Sequence, residues 1–207
     1  PSMSAANPTT LLVYSAPRSG FGDEWMTFLP IGLGFLQAML KSKGYPCRLA
    51  NLSGKTRKEI IAYFRAQQPQ VIGVSMFTFN RKRSYELLRM AREACPSAVL
   101  LAGGPHPTHL SDEVFEDCPE LDAIVKGEGE PILLGILERL KAAPGSDLWM
   151  RAPGLIHKRG VTESQPVLED LDVMGAPIEH FDADFLDDVG QMAYLSTSRG
   201  CPATWTW

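Results

Sequence analysis

Short continuous apolar runs alternate along this chain with longer segments whose apolar residues recur at helical spacing. The runs are Leu11–Tyr14, a weaker one at Arg48–Leu52, then Val71–Phe77, Ala98–Ala102 and Ala123–Lys126. Their brevity and lack of alternation predict strands buried on both faces, as in a parallel sheet. Between them, Leu33, Phe35, Leu36, Met39 and Leu40 mark a helix that stops at Gly44, and Ile60, Ile61 and Phe64 a second, closed before Pro69. Tyr85, Leu88, Met90 and Ala91 mark a third, ended by Pro96; a fourth runs from about Thr108 to Phe115. Ile132, Leu133, Ile136, Leu137 and Leu140 complete a fifth. Five strand–helix alternations imply right-handed crossovers and an α/β fold, a flavodoxin-like doubly wound sheet of five parallel strands in the order 2-1-3-4-5.

The ends of these strands are unusual. Val99-Leu-Leu-Ala-Gly-Gly-Pro-His106 ends an apolar run in two glycines, Val71-Ile-Gly-Val-Ser75 closes on small residues, and Ala123-Ile-Val-Lys-Gly-Glu-Gly129 repeats the pattern. Side chains are missing where backbone must come close. Three such tips on one sheet predict a single ligand crevice along its carboxyl edge.

The character changes at Pro144-Gly145-Ser146. Gly154 to Val161 reads as a short hairpin. Residues 166–188 are acidic with isolated apolar anchors (Leu168, Leu171, Met174, Phe181, Phe185) and read as a linker that wraps over something. Met192 to Ser198 then opens an apolar strand with no successor in the chain, the expectation for a polypeptide cut inside its next domain. The division expected is 9–143 for the α/β domain, 144–191 for hairpin and linker, and 192–207 for the severed strand and its loop.

Composition narrows the class without naming a function. The chain has 207 residues, 44% hydrophobic and 21% charged, the profile of a folded protein. A net charge of -4 with scattered Lys and Arg gives no electrostatic case for nucleic acid. No apolar run approaches the ~20 residues that span a bilayer, and residues 1–10 lack a secretion-signal layout. Cys47, Cys95, Cys118 and Cys201 are far apart, which favours reduced thiols and a cytoplasmic setting.

Familiar nucleotide motifs fail. Gly54-Lys55-Thr56 ends like a P-loop, but Leu49 stands where the leading glycine belongs. Ile31-Gly-Leu-Gly34 lacks the third glycine of a dinucleotide fingerprint. Ser15, Ala16, Pro17 and Arg18 at the first strand tip exclude an acidic phosphoacceptor site. His106 and His109 have no third metal ligand in sight, so a solvated loop pair is the expected reading. Glu128 and Glu130 could serve acid–base work, but Glu130 begins a helix, where its carboxylate complements the macrodipole.

Taken in order, Pro30-Ile-Gly-Leu-Gly-Phe-Leu36, Val71-Ile-Gly-Val-Ser75, Gly103-Gly-Pro-His-Pro-Thr108 and Val125-Lys-Gly-Glu-Gly-Glu130 resemble the cobalamin-binding domain that precedes a radical SAM barrel. Pro153-Gly154-Leu155-Ile156 and Glu169-Asp170-Leu171-Asp172 resemble that family's connecting segment. Ser196-Thr-Ser-Arg-Gly-Cys201-Pro202 is similar to the first barrel strand running into its cluster loop. The likeness spans nearly the whole chain. It implies that the tail of cobalamin enters beside Gly103 and Gly104 while Ser75 hydrogen-bonds the tail base. Corrin contacts are implied at Ser75, Thr78, Gly103, Gly104, Pro105, His106, Gly127, Glu128 and Gly129.

Two departures qualify what the resemblance implies. The Asp-x-His-x-x-Gly loop, whose histidine ligates cobalt in other cobalamin proteins, has no counterpart in Ser15–Gly22; a base-off corrin without a protein histidine is the expectation. The cluster motif Cys-x3-Cys-x2-Cys is met only at Cys201, because its second position is Trp205 and its third falls beyond Trp207. One vestigial ligand cannot hold a [4Fe–4S] cluster, so the cluster and SAM are expected only in a full-length parent, an enzyme of methyl transfer or oxidative cyclisation. Its own barrel and cobalamin are the expected partners. The competing reading is a corrin-free structural domain that docks against that barrel.

Overall fold

The computed structural model describes residues 6–16, 30–164 and 183–185. Five parallel strands form the body of the sheet: β1 (Thr10–Tyr14), β2 (Cys47–Asn51), β3 (Val71–Ser75), β4 (Val99–Gly103) and β5 (Ala123–Val125). They lie in the order β5-β4-β3-β1-β2, the flavodoxin-like arrangement expected from the alternation of runs. Strand order reverses between β1 and β3, where neighbouring connections leave in opposite directions and open a crevice at the carboxyl edge.

Each strand presents alternate residues to opposite faces, and two apolar layers result. On one face Leu11, Val13, Ile72, Val74, Leu100, Ala102 and Ile124 pack with residues of α2 (Arg57–Gln67), α3 (Arg81–Ala94) and Val114 of α5 (Ser111–Asp117). On the other, Leu12, Tyr14, Leu49, Val71, Leu101 and Ala123 pack with α1 (Ile31–Ser42) and α6 (Gly129–Ala142). Trp149, in a 3₁₀ turn over Asp147–Arg151, closes the second layer.

Local signals explain the helix boundaries. Thr56 and Glu59 make a reciprocal capping box at the start of α2, satisfying backbone N–H groups that have no partner within the helix. Its end is a left-handed Gln68. The helix expected from about Thr108 to Phe115 is instead two pieces, α4 (Pro105–His109) and α5, which meet at a non-helical Leu110 with φ -126°. Proline is tolerated in a first helical turn, so Pro105 and Pro107 allow helix to begin before the predicted start.

Three short strands extend the sheet. The hairpin forms as β6 (Leu155–His157) and β7 (Gly160–Val161), and β6 pairs antiparallel with β5. Inside the stretch read as linker, β8 (Ala183–Asp184) pairs parallel with β2 at the opposite edge. The other apolar anchors, the strand expected from Met192 and Cys201 lie outside the described residues. Among the described residues, no helix is long and apolar enough to cross a membrane.

Candidate functional site

Alternation along β3 and β4 sets the site. Val71 belongs to the α1/α6 layer, so Gly73 and Ser75 face the same side. On β4, Leu101 belongs to that layer, and Gly103 follows it. Ser75 and Gly103 are paired in register, so two adjacent strand ends carry only a hydroxymethyl group and a hydrogen towards α1 and α6. Below them the face is filled: a Cβ at Gly73 would lie 2.7 Å from Leu12 Cδ2. The α1/α6 face of these two strand ends therefore carries small residues above Leu12 and Leu101.

Ser75 is only 8% exposed as a residue, but its Oγ is not among the fully buried, unpartnered side-chain atoms of the described residues, which are Asn7 Oδ1, Thr10 Oγ1 and Ser84 Oγ. A Cβ at Gly103 would stand 3.9 Å from its nearest neighbour, Val125 Cβ. A Cβ there would sit in ordinary contact with β5 and clash with nothing.

The remaining glycines have other reasons. Gly104 has φ +107°, and a Cβ there would meet the Met76 carbonyl oxygen at 2.6 Å. The loops after β3 and β4 are knitted at this point, with Met76 N donating to Gly103 O at 2.8 Å and His106 N to Met76 O at 3.4 Å. Gly127 has φ +105° with nothing within 4 Å of a Cβ, a conformation that favours glycine in open space. At Gly129 a Cβ would lie 3.2 Å from Leu36 Cδ2, so this glycine lets α6 close on α1. Glu128, half-buried, occupies the N-cap position of α6, and Glu130 is buried in its first turn.

His106 corrects the expectation of a solvated pair. His109 is exposed, but His106 is 4% exposed. Its Nδ1 lies 3.2 Å from Thr78 Oγ1 and its Nε2 3.5 Å from Tyr85 Oη. Burial, reinforced by the Arg81 charge and opposed by Glu113, lowers its pKa, which keeps the imidazole neutral near pH 7. The cause is position: His106 lies in α4 at the β4 tip with its ring against α3. Thr78 and Pro105 remain exposed at the rim. Among the described residues, no group of His, Cys, Asp and Glu could hold a metal ion.

Sequence reasoning missed Asn80. Its side chain is fully buried; Nδ2 donates to the carbonyls of Ser15 and Ser75 at 3.1 and 3.4 Å, and Oδ1 accepts from Phe77 N at 2.7 Å. An asparagine just before a helix reads as an N-cap, yet this one makes no capping bond to α3. Ser15 Oγ donates to Leu52 O and accepts from Arg83 Nε, both at 3.2 Å. The rim is therefore braced from below.

Comparison with known proteins gives this geometry a family. The profile of the B12 binding domain matches residues 26–137, more than half of the chain, and the chain belongs to that family. It is 26% identical over 204 residues to the anaerobic magnesium-protoporphyrin IX monomethyl ester cyclase of Cereibacter sphaeroides, covering 94% of this chain and 33% of the cyclase. It is 30% identical over 94 residues to the cobalamin-dependent radical SAM methyltransferase TokK of Streptomyces tokunonensis, covering 45% of this chain and 13% of TokK. The chain thus spans about a third of the cyclase and less of TokK. Among solved structures, OxsB, a cobalamin-dependent S-adenosylmethionine radical enzyme with aqua-cobalamin and S-adenosylmethionine bound, superposes with a TM-score of 0.61 at 23% identity. That match covers 78% of this chain and 23% of OxsB and supports the shared fold. The chain is a B12-binding domain homologous to the cobalamin modules of radical SAM methyltransferases and cyclases.

Proposed function

We propose that this chain binds cobalamin as the corrin-holding module of a radical SAM enzyme, taking the nucleotide tail into a slot above Leu12 and Leu101. One observation carries the reading. Ser75 and Gly103 are register partners on the α1/α6 face, where a small hydroxyl-bearing side chain stands beside a glycine whose Cβ position is met no closer than 3.9 Å. Both features suit an inserted group that brings its own hydrogen-bonding atom.

In this reading Ser75 hydrogen-bonds the tail base and Gly103 admits the tail against bare backbone. Thr78, Pro105, Gly127 and Glu128 meet the corrin from the rim. Gly104, His106 and Gly129 keep those loops in place. The loop Ser15–Gly22 contains no histidine, which supports base-off cobalamin without a protein ligand below the metal. Bound cobalamin supplies alkyl-transfer chemistry that side chains do not offer; the protein orients and shields it.

The division into a module over 9–143, a connector over 144–191 and the start of a radical SAM barrel over 192–207 belongs to the same proposal. The [4Fe–4S] cluster and SAM are then held by the longer parent, whose reaction is methyl transfer or oxidative cyclisation. In this reading Cys201 stands at the first position of the cluster motif, with Trp205 at the second. Buried, unpaired thiols at Cys47, Cys95 and Cys118 suit a reducing cytoplasm.

The test is direct. Purified chain is mixed with hydroxocobalamin, desalted, and its visible spectrum recorded beside that of Gly103→Leu. Retained corrin absorption in the wild type, lost in a folded Gly103→Leu, is the expected result. A folded wild type that emerges colourless would overturn the cobalamin reading in favour of a corrin-free domain.

A further inference from the structure

We propose that His106 is a positioning residue: its imidazole, set between Tyr85 and Thr78, fixes the Thr78 hydroxyl at the rim as a polar contact for the amide-bearing periphery of cobalamin. This rests on the cobalamin reading above and adds a residue that acts without touching the cofactor.

Thr78 is exposed in the loop after β3, where a threonine side chain is free to sample its staggered rotamers. Here it has a partner, His106 Nδ1 at 3.2 Å. That partner cannot move readily, because His106 is only 4% exposed and Tyr85 behind it 5% exposed. The histidine backbone is also held, its N–H donating to Met76 O at 3.4 Å. A chain of polar groups therefore runs from the α3 side of the core, through the imidazole, to one hydroxyl at the surface.

The protonation state fits that role. Neutral imidazole offers one donor and one acceptor, and hydroxyls on both sides can complement either tautomer. Protonation would remove the acceptor and force both hydroxyls to accept. Arg81 on α3 opposes that protonation, Glu113 on α5 favours it, and burial decides for the neutral form. His109, the other histidine of α4, is exposed and does not share the ring's environment. Fixing a rim hydroxyl before the ligand arrives lowers the ordering cost of binding.

The test is a double-mutant cycle on the full chain, with hydroxocobalamin as the probe and dissociation constants from equilibrium dialysis. Thr78→Val and His106→Leu should each weaken binding by about five- to tenfold, the scale of one hydrogen bond. The double variant should be no weaker than either single. His106→Asn, which can place an amide near the Nδ1 position, should recover most of the loss. Three-bond couplings to the Thr78 methyl, read without ligand, should report one rotamer in the wild type and averaging in His106→Leu. A wild type that binds while His106→Leu binds equally, additive losses in the double variant, or averaged couplings in the wild type each overturn the role of His106. A wild type that holds no hydroxocobalamin overturns the cobalamin reading itself and the contact with it.

Discussion

The side-chain amide of Asn80 donates to the carbonyl of Ser15 at 3.1 Å, tying the tips of β1 and β3 together where the strand order reverses. One residue thus bridges the ends of two paired strands whose connections leave on opposite faces of the sheet. The same side chain accepts from Phe77 N at 2.7 Å, which sets the path of the loop carrying Thr78. Truncation to Asn80→Ala removes the acceptor of the half-buried Phe77 N–H and the donor to the Ser15 and Ser75 carbonyls, at a cost of about 2 kcal/mol. Urea unfolding should show that loss, with hydroxocobalamin binding falling further than stability alone explains. An unfolding midpoint equal to the wild type would remove the brace from this account.

The glycine pair after β4 divides into two jobs, and alanine separates them. At Gly104 the positive φ and the 2.6 Å approach to Met76 O make Gly104→Ala destabilising by about 2 kcal/mol or more. At Gly103 a Cβ meets nothing closer than 3.9 Å, so Gly103→Ala should leave the thermal midpoint within a few degrees. It should nevertheless weaken hydroxocobalamin retention, because the methyl occupies the slot. Equal thermal losses in the two variants would contradict this division.

The body of the sheet was legible in the sequence because buried parallel strands read as unbroken apolar runs, and the helices between them keep their spacing. The shared face of Ser75 and Gly103 follows from the two-residue period of a strand once their register is known. Other features depend on meetings between distant loops. Gly104 resembles Gly103 in sequence, and only contact with Met76 distinguishes them. The inward turn of His106 depends on α4 beginning at Pro105, before the helix signal of Ser111 to Phe115. Asn80 carries the signature of a cap, and nothing local shows that its amide is spent on β1. The edge strand at Ala183–Asp184 is too short for any periodicity and is fixed by its partners on β2 and α2.

Burial protects the thiols and makes the fold sensitive to alkali. Cys47 and Cys118 are pushed up to about 12 by burial, which in Cys118 is reinforced by Glu120; Tyr14 is likewise raised to about 12 by burial. Each of these folded pKa values lies above its unfolded value. The associated stability is present in full below about pH 9 and is lost as pH climbs towards 12. Urea midpoints should therefore be flat with respect to these groups from pH 6 to about 8 and fall above 9, with a shallower fall in Cys118→Ala. At pH 8, a thiol reagent should label Cys47, Cys95 and Cys118 only after denaturant is added. Fast labelling of all three in the native protein would show that the buried layers open more freely than their packing implies.

Asp184 holds β8 to the edge of the sheet through two side chains. Arg48 NH2 donates to both of its carboxylate oxygens at 2.9 and 2.7 Å, and Tyr63 Oη donates to Oδ2 at 2.6 Å. Phe185 then meets the Tyr63 ring edge-on at 5.1 Å between centroids, with Lys55 Nζ 4.6 Å from its own ring centre. Because β8 runs parallel to β2, the chain passes Phe185 heading towards the carboxyl edge, the same rim that carries the slot. Arg48 is 58% exposed, so the ion pair adds about 1 kcal/mol or less to global stability. Asp184→Ala should therefore leave the unfolding midpoint nearly unchanged while amide exchange at 183–185 accelerates about tenfold or more, since local opening is governed by local contacts. Tyr63→Phe, which keeps the ring contact and removes one donor, should give a smaller acceleration. Unchanged exchange in Asp184→Ala would mean that backbone pairing alone seats the segment on β2.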